Sequence, residues 1–269
     1  MSFEKIDRRE TLPEKVSRII KESILTGEMK GGDVLPTEPE LEKQFGVSRA
    51  VIRDAVRMLK AQGLVEVKHG KGMYVSHSQI EAFTDALLTS LRRDQATVWD
   101  VEQFEQIYLP QVFGLAAESA STAEKREIRK KGENYLKAYA DMFKLEQKSL
   151  TDKLPAAETE AKACFLDFMM AVFKATHNKM VELMGEVLIS MRKWRTITDV
   201  DPDNDIVKLE KAAIENYISA VECSSRIEAA EKIEKLYRYS KELIDILKSS
   251  PIGTSPEIPG DILYSSYKI

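Results

Sequence analysis

Three arginines, Arg49, Arg53 and Arg57, recur at intervals of four residues in a segment with helical apolar spacing. This spacing places the guanidinium groups along one face of a helix, and the apolar side chains lie on the opposite face. A guanidinium group can bind phosphate oxygens or the acceptor edge of guanine in the major groove. We therefore predict that Arg49 and Arg53 approach base edges of DNA, although charges at this spacing also occur on plain solvated helix faces.

A second group of basic residues follows between two short runs of strand-forming residues. The segment LVEVKHGKGMYVS, residues 64–76, predicts a β-hairpin with Lys68, His69, Gly70 and Lys71 at its tip. A flexible tip with positive charges can reach a neighbouring phosphate backbone or the minor groove. We expect this tip to be a second contact with double-stranded DNA.

Short helices must position these two groups. A helical pattern runs from Glu14 to Leu25, and Thr37 with Glu40 three residues later forms a capping box for a second helix. Gly46 ends that helix, and Ser48 is placed to cap the arginine-bearing helix, which we predict over residues 49–62. Two helices, a turn, a third helix and a hairpin predict an N-terminal winged helix-turn-helix domain, residues 1–78.

The charge distribution agrees with this assignment. The whole chain has a formal net charge of −4, but residues 1–78 contain 14 Lys and Arg against 12 Asp and Glu. Residues 79–269 contain 26 basic against 32 acidic residues, so the N-terminal part is the more basic one. A local positive surface in the first domain is sufficient for contact with phosphate.

The rest of the chain has repeated helical apolar spacing. We expect residues 79–249 to form an all-helical bundle, so that the fold class is mainly α with a small wing hairpin. Residues 150–160 interrupt the helical pattern around Pro155 and predict a longer loop. Residues 250–269 are rich in Pro, Gly and Ser and predict an extended or flexible C-terminal tail.

Several functional classes are disfavoured because the sequence lacks the features they require. No apolar run approaches the length of a membrane span, and no signal peptide is evident, so we expect a cytoplasmic protein without membrane contact. Cys164 and Cys223 are too few for a disulfide framework and are interpreted as reduced, buried thiols. No catalytic motif occurs, and we predict that the chain is not an enzyme and has no catalytic residues.

The segment of residues 35–75, LPTEPELEKQFGVSRAVIRDAVRMLKAQGLVEVKHGKGMYV, resembles the DNA-binding signature of the GntR family of transcriptional regulators, FadR-like subgroup. The matching elements are LP-x-E-x-x-L, GVSR, VIRDAVRML-x-x-x-GLVEV and G-x-G-x-x-V. The resemblance implies that Ser48, Arg49 and Arg53 contact DNA from the recognition helix, and that a wing histidine, here His69, enters the minor groove. Pro39 stands where many members have an arginine, so one contact of the family is missing.

Effector domains of this family often bind a metal through one Asp and three His, and the resemblance predicts no such site here. Alignment on Asn178 puts Phe165, Met169, Ile214 and Leu236 at the four ligand positions, and Glu105 where the family has a pocket arginine. We therefore predict no metal and no cofactor, and an apolar pocket. The predicted lining residues are Glu105, Tyr108, Phe165, Met169, Arg192, Trp194, Ile214 and Leu236.

Two interpretations of this pocket remain open. Side chains fill it and the domain only dimerises, or it accepts an apolar effector such as a fatty acid or acyl-CoA, with Arg192 near a charged head group. A regulator that senses a small carboxylate, and a helical interaction protein without ligand sensing, are the alternatives. By resemblance, we expect a homodimer that binds a palindromic operator and responds to a small-molecule effector.

Overall fold

The structure, a computed structural model, describes residues 10–68, 70, 72–76, 80–147, 152–191, 196–198 and 206–266. The chain contacts divide it into two compact units, Met1–Leu87 and Leu88–Ile269. The predicted domain boundary at residues 78 and 79 lies outside the described residues. Helix α4 (Ile80–Arg93) contains the point of division.

The first unit has the element order of a winged helix-turn-helix, as predicted. Its elements are α1 (Leu12–Leu25), α2 (Glu38–Phe45), α3 (Arg49–Ala61), β1 (Val65–Lys68) and β2 (Gly72–Val75). Three residues of α3, Ile52, Ala55 and Leu59, are completely buried. They pack in one cluster with side chains of α1, α2 and the hairpin, among them Val16, Ile20, Leu41, Val65 and Val75. This small core fixes the rotation of α3 about its axis.

The two strands form an antiparallel hairpin whose register pairs Val65 with Val75 and Lys68 with Gly72. The backbone angle φ is +71° at Gly70 and +107° at Gly72. Residues with side chains rarely adopt these angles, so the two glycines permit the tight tip that the sequence predicts.

The second unit is predominantly helical, also as predicted. Its helices are α5 (Val98–Ser119), α6 (Thr122–Gln147), α7 (Leu154–Lys174), α8 (Lys179–Met191), α9 (Ile206–Glu222), α10 (Arg226–Glu234), α11 (Lys241–Ser249) and α12 (Gly260–Ser266). Two three-residue strands, β3 (Thr196–Thr198) and β4 (Glu257–Pro259), pair in parallel. None of the helices in the described part of the chain is long and apolar enough to cross a membrane.

The main core of the second unit forms between helices α5, α6, α7, α9 and α10. Its largest completely buried side chains include Phe113, Phe168 and Phe173. Close helix contact depends on glycine here, because a Cβ atom at Gly132 would lie 2.8 Å from Ile218 Cδ1.

Two segments differ from the sequence-based expectation. Residues 154–160, predicted as part of a loop, belong to α7, with Pro155 in the first turn. A proline is tolerated there because its missing N–H would have no partner inside the helix. Residues 257–266, within the segment predicted as an extended or flexible tail, form β4 and α12. Ile258 and Leu263 are buried against residues of α9 and α11.

The packing of α8 against α7 generates a stability prediction. A Cβ atom at Gly185 would overlap the ring of Phe173, which is completely buried in the core. We expect Gly185→Ala to lower the free energy of unfolding by about 1–3 kcal/mol, because a tightly packed core tolerates added volume poorly. Chemical denaturation followed by circular dichroism measures the change.

The matched control is Ser190→Ala, an exposed position on the same helix, for which we expect a change within about 0.5 kcal/mol. An equal effect of both substitutions would contradict the close contact at Gly185.

Candidate nucleic-acid interface

The turn between α2 and α3 is fixed by helix-terminal residues. The Glu40 carboxylate accepts hydrogen bonds from the Thr37 backbone N–H at 2.7 Å and from the Thr37 hydroxyl at 2.8 Å, so the predicted capping box is present. At the other end of α2, Gly46 adopts the left-handed conformation with φ +64°. Ser48 then occupies the N-cap position of α3 and is exposed, without a side-chain hydrogen bond to the helix. Its hydroxyl is thus available at the end of the helix that carries the arginines.

The exposed face of α3 carries the predicted arginines. Arg49, Arg53 and Arg57 are all exposed, opposite the buried face of the helix. Arg57 Nη1 lies 3.0 Å from the carboxylate of Asp54, which is a contact within one turn of α3. Arg53 makes no hydrogen bond or ion pair with another residue in the described part of the chain. The structure therefore brings Arg49 and Arg53 together on one accessible surface.

Arg49 has a partner that sequence reasoning missed. Its Nε lies 3.1 Å from Oε2 of Glu38, the first residue of α2. The predicted capping box places Glu38 at the start of α2, but no local sequence pattern pairs it with Arg49. Pro39, the departure from the family pattern, lies in the first turn of the same helix.

At the wing, fewer of the predicted DNA contacts lie within the described residues. Lys68 Nζ lies 5.1 Å from the centre of the Tyr74 ring and 3.8 Å from the Glu66 carboxylate. Lys68 and Gly70 are exposed at the hairpin tip. The other two predicted wing contacts, His69 and Lys71, lie outside the described residues.

The capping box also perturbs an ionisable group. Hydrogen bonds from the backbone and side chain of Thr37 lower the pKa of Glu40 below its ordinary value of 4.5. The charged form accepts these bonds better than the neutral form, so ionisation of Glu40 stabilises the start of α2.

In the second unit, the apolar residues predicted to line a pocket belong to one core. Met169, Ile214 and Leu236 are buried in the main cluster, and Phe165 packs against it. The ring of Phe165 lies 5.1 Å from that of Tyr135. Arg192, predicted near a charged head group, and Trp194, another predicted lining residue, lie outside the described residues. The structure thus brings four of the predicted residues into one apolar environment.

The two polar positions of the predicted pocket lie on α5. The Tyr108 hydroxyl donates a hydrogen bond to the Val181 carbonyl at 3.0 Å, and burial raises the pKa of Tyr108 to about 12. Glu105 is 1% exposed. By the resemblance, the family has an arginine at this position, and an arginine differs chemically from a buried carboxylate.

The described residues contain no group of three His, Cys, Asp or Glu side chains that could hold a metal ion. His177 lies just before α8 and has φ +52°. Its Nε2 lies 2.9 Å from the Glu124 carboxylate. Hydrogen bonds from Ser121 and His177 lower the pKa of Glu124 to about 2.

Comparison with known proteins supports the assignment of the first unit. Residues 12–75 match the family described as "Bacterial regulatory proteins, gntR family". The chain is 34% identical over 116 residues to the Uxu operon regulator of Haemophilus influenzae, which covers 42% of this chain and 40% of that protein. It is 27% identical over 182 residues to the Uxu operon transcriptional regulator of Escherichia coli, which covers 68% of this chain and 64% of that protein. The aligned part is thus less than two thirds of either relative.

A solved structure has a similar fold. The protein named Streptococcus agalactiae GntR superposes with a TM-score of 0.51 and 19% sequence identity, over 88% of this chain and 100% of that chain. At this identity the likeness concerns the fold alone.

The Glu40 capping box predicts a pH dependence at the start of α2. Because the folded-state pKa of Glu40 is lowered, its stabilising contribution is fully present above the ordinary pKa of 4.5 and is lost as the pH falls through the folded value. We expect the hydrogen-exchange protection of the first α2 amides to fall in this range. Protection factors corrected for intrinsic exchange, measured by NMR, test the expectation.

Glu40→Gln retains an acceptor but cannot ionise. We therefore expect the first α2 amides of this variant to be less protected than those of the wild type at neutral pH, with no further fall in acid. Glu42→Gln, on the same helix outside the capping box, is expected to behave as the wild type. The same acid-dependent fall in Glu40→Gln would contradict the role of Glu40.

Proposed function

We propose that this chain, whose residues 12–75 match the gntR family of bacterial regulatory proteins, is a transcriptional regulator that binds double-stranded DNA. The observation that carries the proposal is the exposed Arg49 and Arg53 face of α3, the second helix of a helix-turn-helix. Such a helix docks in the major groove with its N-terminal residues near base edges. Both arginines and Ser48 lie in the first half of α3 or directly before it. This role places the protein in the cytoplasm, where bacterial DNA lies.

The mode of binding follows from the size of the reading surface. One recognition helix reads only a short stretch of base pairs, and two copies related by a twofold axis read a palindrome. We propose that the chain binds such a site as a homodimer. The wing tip at Lys68 to Lys71 would then contact the backbone or the minor groove beside each half-site.

We propose further that the helical unit binds a small-molecule effector that changes the affinity for DNA. An apolar metabolite of the fatty acyl type is supported by Phe165, Met169, Ile214 and Leu236, which supply an apolar environment. A small carboxylate is the less favoured effector, because a bound anion needs a positively charged partner. At the position compared with the family's pocket arginine, this chain instead has the buried acidic residue Glu105. Effector binding would shift DNA affinity by a coupling free energy of about 1–3 kcal/mol.

Replacing Arg53 tests the DNA-reading surface. We expect Arg53→Ala to weaken binding to a specific duplex by about 1–3 kcal/mol, because a bidentate contact between arginine and a guanine edge is lost. The specific duplex is first selected by the wild-type chain from a library with a randomised central segment. Fluorescence anisotropy titration at fixed salt then gives the affinity.

The control is Arg57→Ala, one turn further along α3, where the guanidinium group contacts Asp54. We expect this substitution to weaken specific binding less than Arg53→Ala does. Unchanged specific affinity in a folded Arg53→Ala chain would contradict the base-reading role.

A thermal-shift screen tests the effector proposal. We expect long-chain acyl-CoAs or free fatty acids to raise the melting temperature in a saturable way that chelators do not alter, because ligands that bind only the folded state stabilise it. Small carboxylic acids and divalent metals are screened in parallel. Stabilisation by a metal together with a small acid would contradict the apolar pocket. No stabilisation by any compound would favour a helical domain without ligand sensing.

A further inference from the structure

The contact between Glu38 and Arg49 joins the first turns of the two helices in the helix-turn-helix. The residues are eleven positions apart, and the Arg49 Nε–H donates to Glu38 Oε2 at 3.1 Å. The Glu38 side chain is 29% exposed, whereas that of Arg49 is 69% exposed. The carboxylate is thus the more enclosed member of the pair, and the guanidinium group extends from it toward solvent.

The atom of Arg49 that makes this contact restricts how the residue can approach DNA. A guanidinium group has five N–H donors in a rigid plane, one on Nε and two on each Nη. Glu38 occupies the Nε–H, and neither Nη of Arg49 donates to another residue in the described ranges. A side-on approach that uses Nε with one Nη would require the ion pair to break. The end-on approach, in which both Nη groups meet the two acceptors of one base, is available without rearrangement.

We propose that Glu38 is a positioning residue that raises the sequence discrimination of Arg49. This inference rests on the proposed DNA-binding function. The hydrogen bond holds the long Arg49 side chain in its end-on orientation before DNA arrives, so that less rotamer freedom is lost when the correct base pair is met. The negative charge beside Arg49 also weakens its attraction to the phosphates of every sequence. The hydrogen bond thus favours the specific duplex over other DNA, whereas the charge lowers the affinity for all duplexes alike.

A purely structural role for Glu38 makes a different prediction. Glu38 is the first residue of α2, where a carboxylate interacts favourably with the helix N-terminus. Loss of that interaction would change the melting temperature, and it would not change the ratio of affinities for two duplexes. The ratio is therefore the informative measurement.

Two conservative substitutions separate the hydrogen bond from the charge. Glu38→Asp retains the charge and suits a helix N-terminus, but its shorter side chain does not reach Nε in the same geometry. Glu38→Gln retains an acceptor oxygen at the same reach and removes the charge. Each variant is titrated by fluorescence anisotropy, at fixed salt, against the duplex selected by the wild-type chain and against a scrambled duplex of equal length and composition.

We expect Glu38→Asp to lower the ratio of specific to scrambled affinity by about 2- to 10-fold, with little change in affinity for the scrambled duplex. We expect Glu38→Gln to retain the ratio within about twofold, while affinity rises for both duplexes because a repulsive charge is removed. In an Arg49→Ala background, Glu38→Asp should leave the ratio unchanged, since the residue that it positions is absent. Glu42→Gln, which neutralises a nearby carboxylate on α2, is the control for charge alone and should not change the ratio.

The outcomes distinguish the inference from the proposed function. If the wild-type chain enriches no duplex from the library, the DNA-binding proposal and this inference both fail. If a duplex is enriched and folded Glu38→Asp discriminates as well as the wild type, the inference alone fails. It also fails if the effect of Glu38→Asp persists in full without Arg49, because Glu38 would then act through another group.

Discussion

The burial of one face of α3 is the constraint on which the DNA-reading surface depends. Ile52, Ala55 and Leu59 are completely enclosed by the small core of the first unit, so α3 cannot rotate about its axis without exposing apolar surface. Removal of such side chains from water contributes about 1.5–3 kcal/mol for each large residue. With that face fixed, residues 49 and 53 must point to solvent. The exposure of residues 49 and 53 on this face is therefore a consequence of hydrophobic packing.

This dependence explains which parts of the structure could be predicted from the sequence. The faces of α3 follow from a local 3.6-residue period, and the start of α2 follows from Thr37 and Glu40, three residues apart. The hairpin follows from two β-forming runs that flank glycines, and Gly70 and Gly72 indeed have positive φ. In each case the signal and the structure lie within a few residues of each other, so sequence reasoning found them.

The features that escaped prediction depend on contacts between distant residues or on position within an element. The Glu38 to Arg49 ion pair forms only when the turn brings two helix N-termini together. Residues 257–259 form a strand because they pair with residues 196–198, about sixty positions earlier. No local sequence pattern predicts which segment they pair with. Pro155 suggested a loop, but proline also occurs commonly in the first turn of a helix. Composition alone could not decide between these two environments.

The close packing of the second unit constrains how an effector could act. A Cβ atom at Gly132 would lie within 3.3 Å of Ile218, Phe168 and Ile214, so α6 approaches α7 and α9 closely at this point. An effector that entered the core between Gly132 and Ile214 would therefore have to displace the side chains that pack there. Tightly packed interfaces respond to such displacement by shifting between discrete arrangements, because they cannot deform continuously. A ligand with little affinity for the side chains it displaces would therefore bind weakly. One that binds well would gain enough from its own contacts to offset that displacement.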